Sequence, residues 1–450
     1  MESKNEIILT LLSKGDQTIR DAVWGDIILD SKALQLLDSV PFQRLRRVQQ
    51  LGFISWVWPG AHHTRFEHSL GVFHLTRQVF LHLLLKTSYN FTAEEINTAL
   101  AAALLHDIGH YPFSHAVEEL DLNIIRNHEL IGSEIVKGPE IGNILYESWG
   151  INPEKVSAFL VGDADNNLSP RENLLRTLLS GSLDTDKLDY LIRDSRYCNV
   201  PYGMVDVQRL IDSITIWPES PTDNLLPLQF VLNEKGIGAL QSLIFARYLM
   251  FFNVYWHHTN RIATVMFLRS LQEALLSNCV NSKELESSDD ASIINLIRNS
   301  TEPLSISNEL INDLRNRRFY KRALAFGEDS PFFELLATLK FDPSRRKRLE
   351  ELWCRHVASW IGRPLRGHEL LLDIPEPKSF EINVNVLSEN PPPDWRNPIP
   401  WGLVSGLDSA DLRKFHSHVR KVVVVAKDNE IADAVRDKRN ILLDLVTSCR

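Results

Sequence analysis

The sequence holds 450 residues, with 49 Lys and Arg against 58 Asp and Glu and a formal net charge of −9. This acidic balance disfavours non-specific nucleic-acid binding by the whole surface but is compatible with a local basic site. Hydrophobic residues make up 44% and charged residues 24%, as in ordinary globular proteins. No apolar run reaches the roughly 18 residues that span a bilayer. We therefore expect two or three units around one main core and no membrane partner.

The N-terminal segment and the cysteines indicate the compartment. The segment MESKNEIILTLLSKGD has neither a basic start nor a small-residue cleavage site, so no signal peptide is expected. The four cysteines are scattered without CxxC spacing, which is typical of free thiols in a reducing compartment. They are Cys198, Cys279, Cys354 and Cys449. The expected location is cytoplasmic.

Helical spacing of apolar residues dominates the chain up to residue 276. Leu70, Phe73 and Val79 belong to one apolar face of a predicted helix. Thr92 followed by Glu95 has the arrangement of a capping box at the start of the next helix. The predicted helices cover 31–52 with an interruption near Pro41, 69–86, 92–109, 169–195 in two pieces separated by Gly181, and 235–276, the longest.

Strand-like runs are few and lie late in the chain. They cover 228–233, 380–386 and 422–427, and the Pro-rich segment 388–402 is predicted to be a loop. The fold class is therefore mostly α, with a helical catalytic body over 1–330. A smaller mixed α+β region over 331–450 is expected to be regulatory or to serve oligomerisation. Two basic clusters, 315–322 and 344–356, are interpreted as solvated helix faces or as contacts for an anion or nucleotide.

The residues that carry chemistry begin with His106 and Asp107, which end the apolar run TALAAALL. Imidazole and carboxylate groups are ligands for divalent metals such as Zn, Mn, Fe, Co or Ni. Neighbouring side chains on a straight helix point about 100° apart, but at a helix C-terminus followed by Gly109 both could turn toward one ion. The dipeptide alone supports a metal site only weakly, because it arises often by chance.

Two further segments strengthen the metal interpretation. His68 lies in an apolar helix upstream, and the stretch SLDTDKLDYLIRD downstream carries four aspartates. These are Asp184, Asp186, Asp189 and Asp194. One His before, His-Asp in the middle and one Asp after make four ligands from three helices, which is how helical bundles build metal sites in their cores.

These segments resemble the HD-domain superfamily of metal-dependent phosphohydrolases, with the pattern H…HD…D, and most closely its deoxynucleoside triphosphate triphosphohydrolases. The matching stretches are FQRLRRVQQLG, TRFEHSLGV, LLHDIGHYPFSH, NHELIGSEI and DTDKLDYLIRD. They extend over residues 19 to about 200, with a weaker match through 247–258. The resemblance implies an HD-type helical bundle with metal motifs over 65–194 and a helical extension over 235–276. It does not extend to a SAM domain.

Carried over position by position, the resemblance implies a metal site and a catalytic group beside it. The implied ligands are His68, His106, Asp107 and Asp186, and the cofactor is a divalent metal ion (Mn, Fe, Zn, Co, Ni or Mg). Such an ion can polarise a phosphoryl oxygen and lower the pKa of bound water. The implied catalytic residues are His110, Glu118 and His128, where a histidine would exchange a proton. The family most often has Asp at the position of Glu118, and Glu keeps the charge but adds a methylene.

The implied substrate residues form two groups. A triphosphate requires cations and donors, and those at the matching positions are Arg65, His115, Lys187 and Arg247. The implied deoxyribose contacts are Gln50, Leu51, Tyr190, Asp194 and Tyr255. An aromatic ring against C2′ leaves no room for a ribose hydroxyl, and polar contacts to the 3′-hydroxyl discriminate strongly. Tyr255 is alternatively a core residue of the aromatic cluster MFFNVYW, and His115 and His128 are alternatively structural histidines.

The expected activity is hydrolysis of a dNTP at the α-phosphorus, which releases a deoxynucleoside and inorganic triphosphate. The alternatives are an HD phosphohydrolase for another nucleotide (a monophosphate or a signalling nucleotide), or a nucleotide-sensing or nucleic-acid-binding protein, with the 344–356 segment as a possible nucleic-acid contact. The resemblance also implies a homo-oligomer, with a tetramer favoured.

A nucleotide activator site is a further implication of the resemblance, at Asp38, Gln43 and Arg46. The nearby stretch TIRDAVWGDI departs from the family form N-D-P-I-H-G. It has Arg20, Ala22 and Trp24 where Asn, Pro and His are common. The departure predicts either that this activator site is absent or that its ligand differs.

Overall fold

The structure, a computed structural model, describes residues 3–12, 15, 17–120, 124–162, 168–218, 228–378 and 382–448. Its helices are α1 Lys4–Leu12, α2 Ser31–Asp38, α3 Val40–Arg44, α4 Arg65–Lys86, α5 Ala93–Leu105, α6 His115–Glu118, α7 His128–Lys137, α8 Pro139–Glu147, α9 Pro153–Val161, α10 Pro170–Ser180, α11 Thr185–Tyr197, α12 Val207–Ser213, α13 Ile237–Met250, α14 His258–Leu276, α15 Ser282–Ser287, α16 Asp290–Ser300, α17 Ile306–Arg315, α18 Phe333–Ala337, α19 Pro343–Ile361, α20 Trp401–Ser405, α21 Ser409–Val419, α22 Asn429–Asp437 and α23 Arg439–Ser448. The strands are β1 Gln17–Asp21, β2 Gly25–Leu29, β3 Ile214–Trp217, β4 Gln229–Asn233, β5 Lys321–Phe326, β6 Leu370–Asp373, β7 Asn385–Leu387, β8 Ile399–Pro400 and β9 Val422–Ala426. The prediction of a mostly α protein is confirmed.

The two central helices, α4 and α5, begin as their sequences predict. At the start of α5, the Thr92 side chain accepts a hydrogen bond from the Glu95 backbone, and the Glu95 carboxylate accepts one from the Thr92 backbone at 2.7 Å. Thr64 and Glu67 form the same reciprocal cap on α4. Such caps satisfy backbone donors that a helix start leaves unpaired. Helix α4 packs against α5 and α11, so the helices that carry the metal motifs are fixed by one shared core.

The predicted helix breaks are present, but the longest predicted helix is interrupted. Pro41 lies at the start of α3 after the predicted interruption, and Gly181 follows α10. The continuous helix predicted over 235–276 is wrong. After α13, a π-helical turn over Phe251–Tyr255 leads to a break at Trp256 and His257 before α14 begins. The break is stabilised because the His257 side chain accepts a hydrogen bond from the Thr259 backbone at 3.3 Å.

Strands are more numerous than the sequence predicts. The three predicted runs contain β4, β7 and β9, although residues 380 and 381 of the second run, like Cys449, lie outside the described residues. The hairpin β1–β2 and the strands β3, β5 and β6 are not predicted. The Pro-rich segment expected to be a loop contains β8, which pairs antiparallel with β7.

Two sheets cross the boundary predicted at residue 330. Strand β4 pairs in parallel with β7, within a sheet of order β3-β4-β7-β8. Strand β5 pairs antiparallel with β9, within a sheet of order β5-β9-β6. The division into a catalytic body and a C-terminal region stays a prediction. Each of these two sheets contains strands from both sides of the predicted boundary.

One described helical segment, Glu234–Tyr255, has the length and apolar composition of a membrane-spanning helix. The same composition is typical of a core helix of a globular protein. Leu240, Leu243 and Met250 of this segment are buried in the main core, and α13 packs against α11 and α20.

Candidate metal and phosphate site

The four predicted metal ligands lie together, at the junction of α4, α5 and α11. The Nε2 atom of His68 lies 3.2 Å from His106 Nε2 and 2.9 Å from Asp186 Oδ1. Asp107 Oδ2 is 3.6 Å from the same His68 atom. Ligand atoms of His68, His106 and Asp186 all fall within 4.8 Å of one another. Three helices therefore bring two imidazoles and two carboxylates to one point.

The orientation of both histidines fits a divalent cation. His68 Nδ1 donates to Asp189 at 2.7 Å, and His106 Nδ1 donates to the carbonyl of Ala103 at 2.9 Å. Both Nε2 atoms therefore face the cluster, as in metal sites where an outer partner fixes the histidine tautomer. Burial alone would lower the pKa of His68, but hydrogen bonds to Asp186 and Asp189 raise it to about 10. The negative potential that holds this proton would also favour a metal ion, and the nitrogen and oxygen donors suit a borderline metal.

Asp189 is a site residue that the sequence interpretation missed. Its carboxylate is buried, and it accepts from His68, from the Trp24 indole at 2.5 Å and from Arg193 at 2.8 Å. Arg193 in turn donates to Asp21 at 2.7 Å. The signal in the sequence was the i,i+4 spacing of Asp189 and Arg193 on α11, which places both on one helix face. The candidate metal site is thus supported by a buried charge network that reaches the hairpin β1–β2.

Gly71 and Gly109 allow close approaches that a side chain would block. A Cβ atom at Gly71 would fall 1.8 Å from Asp189 Oδ1, so the network needs glycine on α4. A Cβ atom at Gly109 would fall 2.2 Å from the carbonyl oxygen of His128. Helix α5 ends at Leu105, and the His-Asp pair lies in the turn that follows, as expected. Glycine is required at position 109 because the backbone there approaches α7 so closely.

The predicted catalytic residues form a second cluster beside the predicted metal ligands. Glu118 accepts from His115 Nδ1 at 3.1 Å, and its other oxygen accepts from His128 Nδ1 at 2.6 Å. The rings of His110 and His128 stack at 3.7 Å with an interplanar angle of 15°. Burial alone would raise the pKa of the Glu118 carboxyl, but the hydrogen bonds from His115 and His128 outweigh it and lower that pKa. The glutamate at this position therefore reaches two histidines at once.

This histidine cluster is better suited to proton transfer than to metal binding. His110, His115 and His128 each have a ring nitrogen within 4.8 Å of the others. However, the lone pairs of two parallel stacked rings run side by side and do not converge on one ion. Burial, with the positive charges of Arg65 and His128, lowers the pKa of His110 well below its usual value. A neutral His110 can accept a proton.

Arg65 lies between the two clusters. Its guanidinium is buried, forms a short ion pair with Asp107 and donates to Ser114 Oγ at 2.9 Å. His110 Nε2 lies 3.2 Å from the other oxygen of Asp107. The carboxylate predicted to bind the metal is therefore also paired with the arginine predicted to bind the α-phosphate.

Two of the three remaining predicted phosphate residues line one cavity. Lys187 and Arg247 border a cavity of about 340 Å³ together with Gly181 and Leu243. The Lys187 ammonium forms a short ion pair with Asp184 and donates to the carbonyl of Gly181 at 3.0 Å. His115 is the most accessible of the predicted phosphate contacts, with 58% of its side chain exposed.

The predicted sugar residues are brought together only in part. Tyr255 donates to Asp194 at 2.7 Å, and its ring lies 6.4 Å from that of Tyr190. The second oxygen of Asp194 accepts from His63 at 2.8 Å, so both of its oxygens are occupied, and His63 is a further residue that sequence interpretation missed. Gln50 Oε1 is buried and has no hydrogen-bond partner among the described residues. A buried acceptor of this kind is costly unless a donor such as a substrate hydroxyl fills it.

Two of the three predicted activator residues, Gln43 and Arg46, bond to each other and to neighbouring helices. Gln43 donates to the carbonyl of Leu37 at 2.7 Å, and Arg46 donates to Gln43 at 3.0 Å. Arg46 lies over the ring of Phe66 at 3.5 Å, and Asp38 is exposed at the end of α2. The activator site stays a prediction. Residue 24, where the family form has His, is the Trp24 that donates to Asp189.

Comparison with known proteins places the chain in a family. A family model described as the HD domain matches residues 65–156, and one described as an HD associated region matches residues 205–416. An uncharacterized protein from Methanocaldococcus jannaschii is 32% identical over 380 residues, which cover 83% of this chain and 72% of that protein.

Relatives with a printed activity and a solved structure are more distant. The deoxynucleoside triphosphate triphosphohydrolase SAMHD1 of Homo sapiens is 25% identical over 358 residues, 70% of this chain and 55% of that protein. The SAMHD1 homolog of Dictyostelium discoideum is 29% identical over 331 residues, 68% of this chain and 60% of that protein. The chain thus spans little more than half the length of these two relatives.

The crystal structure of a hypothetical protein from Aquifex aeolicus matches with a TM-score of 0.64 and 25% identity. That match covers 94% of this chain and 99% of the other. The matched fold, the two family models and the convergent His and Asp ligands agree. The chain belongs to the HD-domain family of metal-dependent phosphohydrolases.

Proposed function

We propose that this protein hydrolyses deoxynucleoside triphosphates to a deoxynucleoside and inorganic triphosphate. The observation that carries the proposal is the cluster of predicted metal ligands beside a pair of stacked histidines. The His68–His106–Asp186 cluster lies beside the stacked His110 and His128, and the unpaired acceptor Gln50 Oε1 supplies a site for a sugar hydroxyl. SAMHD1 relatives carry a triphosphohydrolase name, which supports the same reading.

In the proposed reaction, water adds across the bond between the α-phosphorus and O5′. That bond breaks, O5′ leaves as the nucleoside hydroxyl, and the triphosphate takes the oxygen of water. A divalent metal held by His68, His106, Asp107 and Asp186 would supply a Lewis acid for the phosphoryl group. Arg65 stabilises charge on the α-phosphate. His110 or His128 takes a proton from the attacking water and passes it to O5′, with Glu118 holding the ring of His128.

The test is a panel of the four dNTPs with Mn²⁺ or Mg²⁺, in which free triphosphate and deoxynucleoside are separated and quantified. We expect both products in equal amounts, and His106→Ala should lower the rate by about 100-fold or more, because it removes one ligand of the metal. Release of orthophosphate or pyrophosphate instead would contradict attack at the α-phosphorus. A wild-type rate in His106→Ala would contradict a role for the metal cluster.

The same panel separates the second candidate function. The second candidate is an HD phosphohydrolase that acts on another nucleotide. It is tested by adding nucleoside monophosphates and signalling nucleotides to the panel as substrates. Lys187 and Arg247, which line one cavity of about 340 Å³, are the cations that the dNTP reading assigns to the phosphates. Within the basic segment 344–356, Lys347 pairs with Glu273 at 2.8 Å. That pair engages one cation of the segment within the molecule and lends no support to nucleic-acid binding.

Assembly and activation belong to the same proposal. We expect a homo-oligomer, with a tetramer favoured, and light scattering with and without dNTPs measures it. Mixtures of two dNTPs test whether one nucleotide activates hydrolysis of the other through Asp38, Gln43 and Arg46. A rate in each mixture that equals the sum of the separate rates would contradict an activator site.

A further inference from the structure

The start of helix α16 lies against the loop that follows the His-Asp turn. Arg44, whose side chain is buried, donates to the carbonyls of Ile108 and His110, each at 2.9 Å, and to the carbonyl of Ser288 at 3.0 Å. Arg47 pairs with Asp289 at 2.7 Å. A segment more than 170 residues away along the chain is thus fixed beside the catalytic turn.

Asp290 makes the most specific of these contacts. One of its oxygens accepts from the Phe113 backbone at 2.7 Å, and the other accepts from the Gln49 backbone at 2.9 Å. The next residues along the chain are Ser114 and Gln50. One carboxylate therefore joins the loop that leads to His115 to the segment that carries the proposed sugar contact.

The loop that Asp290 holds has an uncommon backbone. Phe113 has φ 56°, and Ser114 has φ 57° with ψ −132°. Such conformations are uncommon in residues other than glycine and persist only where surrounding contacts hold them. Ser114 Oγ donates to the carbonyl of Gln49 at 3.0 Å and accepts from Arg65. The strained loop therefore sets the place of Arg65 as well as that of His115.

We infer that Asp290 is a positioning residue for the phosphate site: it holds the Phe113–Ser114 turn and Gln49 in the geometry that Arg65, His115 and Gln50 require. The inference rests on the proposed function for the roles of those three residues. Asp290 lies in the HD associated region, as do the proposed substrate residues Arg247 and Tyr255, and it contributes to the site through the loops that it holds.

The experiment compares Asp290→Ala and Asp290→Asn with the matched control Asp289→Ala. Asp289 caps the same helix by accepting from the Ser292 backbone at 2.8 Å and pairs with Arg47, but among the described residues it accepts from neither the Phe113 nor the Gln49 backbone. Two readouts are used: kcat and KM for a dNTP, and amide hydrogen exchange of peptides that cover 49–53 and 111–115. We expect Asp290→Ala to lower kcat/KM by about tenfold or more, mainly through KM, since each lost backbone bond weakens the loop.

The other outcomes are equally specific. Asp290→Asn keeps one carbonyl acceptor, so kcat/KM should fall between wild type and Asp290→Ala, while Asp289→Ala stays within about threefold of wild type. Exchange should rise in both peptides for Asp290→Ala alone. Equal kinetics in Asp290→Ala and Asp289→Ala, or unchanged exchange, would overturn the inference.

If Asp290→Ala does not fold, a wild-type kcat/KM in Asp290→Asn overturns it. A wild-type protein that hydrolyses no nucleotide contradicts the proposed function, and the exchange result still decides the inference.

Discussion

Asp189 accepts a hydrogen bond from His68 Nδ1 at 2.7 Å, and this bond leaves His68 Nε2 directed at the proposed metal position. Arg193 and the Trp24 indole hold the same carboxylate, so its orientation is fixed from three sides. The orientation of the predicted ligand His68 therefore depends on Asp189, which is not itself a predicted ligand.

Asp189→Asn is expected to weaken metal binding by about 10- to 100-fold, the usual cost of losing an outer-shell carboxylate. Isothermal titration of the metal-free protein with Mn²⁺ measures the affinity directly. Asp212→Asn, which removes an exposed carboxylate on α12, is the control and should leave the affinity unchanged. An affinity for Asp189→Asn within twofold of wild type would contradict the role given to this bond.

Glu118→Asp is expected to lower kcat by about tenfold, because the shorter side chain cannot bond both His115 and His128. Glu118→Gln keeps the length but removes the charge, and we expect a similar loss. Steady-state kinetics with a dNTP gives both values. Glu129→Gln, next to His128, serves as the control with kcat near that of wild type. Full activity in Glu118→Asp would show that one histidine contact is enough.

Gln50→Leu is expected to reduce the preference for a dNTP over the matching 2′,3′-dideoxynucleotide. The reason is that Gln50 Oε1 is a buried acceptor in need of a donor, and a 3′-hydroxyl supplies one. The ratio of kcat/KM for the two substrates should fall by about tenfold, the value of one hydrogen bond of this kind. Gln49→Leu, whose backbone contacts are kept, is the matched variant. An unchanged ratio in Gln50→Leu would place the 3′-hydroxyl elsewhere.

The pH dependence of the free energy of unfolding should reveal the raised pKa of the Asp290 carboxyl. Burial raises its pKa to about 6, and the Asp289 carboxylate adds repulsion, whereas the Gln49 and Phe113 donors and Arg65 oppose the shift. An unfolded aspartate titrates near about 3.9. The folded state therefore binds this proton more tightly, and the stability that it contributes is lost as pH rises from about 4 to about 6.

Differential scanning calorimetry of wild type and Asp290→Asn measures this effect. The Tm of wild type relative to Asp290→Asn should fall between pH 4.5 and pH 6.5 and then stay level, since only wild type has the titrating group. Other carboxylates titrate in both proteins and cancel in the comparison. A difference that is constant across this range would show an ordinary pKa for Asp290.

The helical framework could be predicted because its signals are local. The Thr92–Glu95 cap and the breaks near Pro41 and at Gly181 depend on residues within one or two turns. The short strands could not be predicted in the same way. The hairpin β1–β2 has charged residues such as Arg20 and Asp26 on its strands and is stabilised by pairing across the turn.

Within the site, ligand types were visible in the sequence but their supports were not. His68, His106, Asp107 and Asp186 stand in recognisable motifs, whereas the partners of Asp189 and Asp290 lie 121 and 177 residues away in the chain. Only the tertiary fold defines such contacts. The pairing of Arg65 with Asp107 could likewise not be predicted, because one motif predicts a phosphate contact and the other predicts a metal ligand.

The parallel pairing of β4 with β7 and the pairing of β5 with β9 have a consequence for how the chain can be divided. A protein ending at residue 330 would keep β4 and β5 but lose their neighbours, so two rows of backbone donors and acceptors would face solvent. Open strand edges of this kind are templates for pairing between molecules. The last third of the sequence, which supplies β7 and β9, therefore protects the remainder of the chain from self-association through its strands.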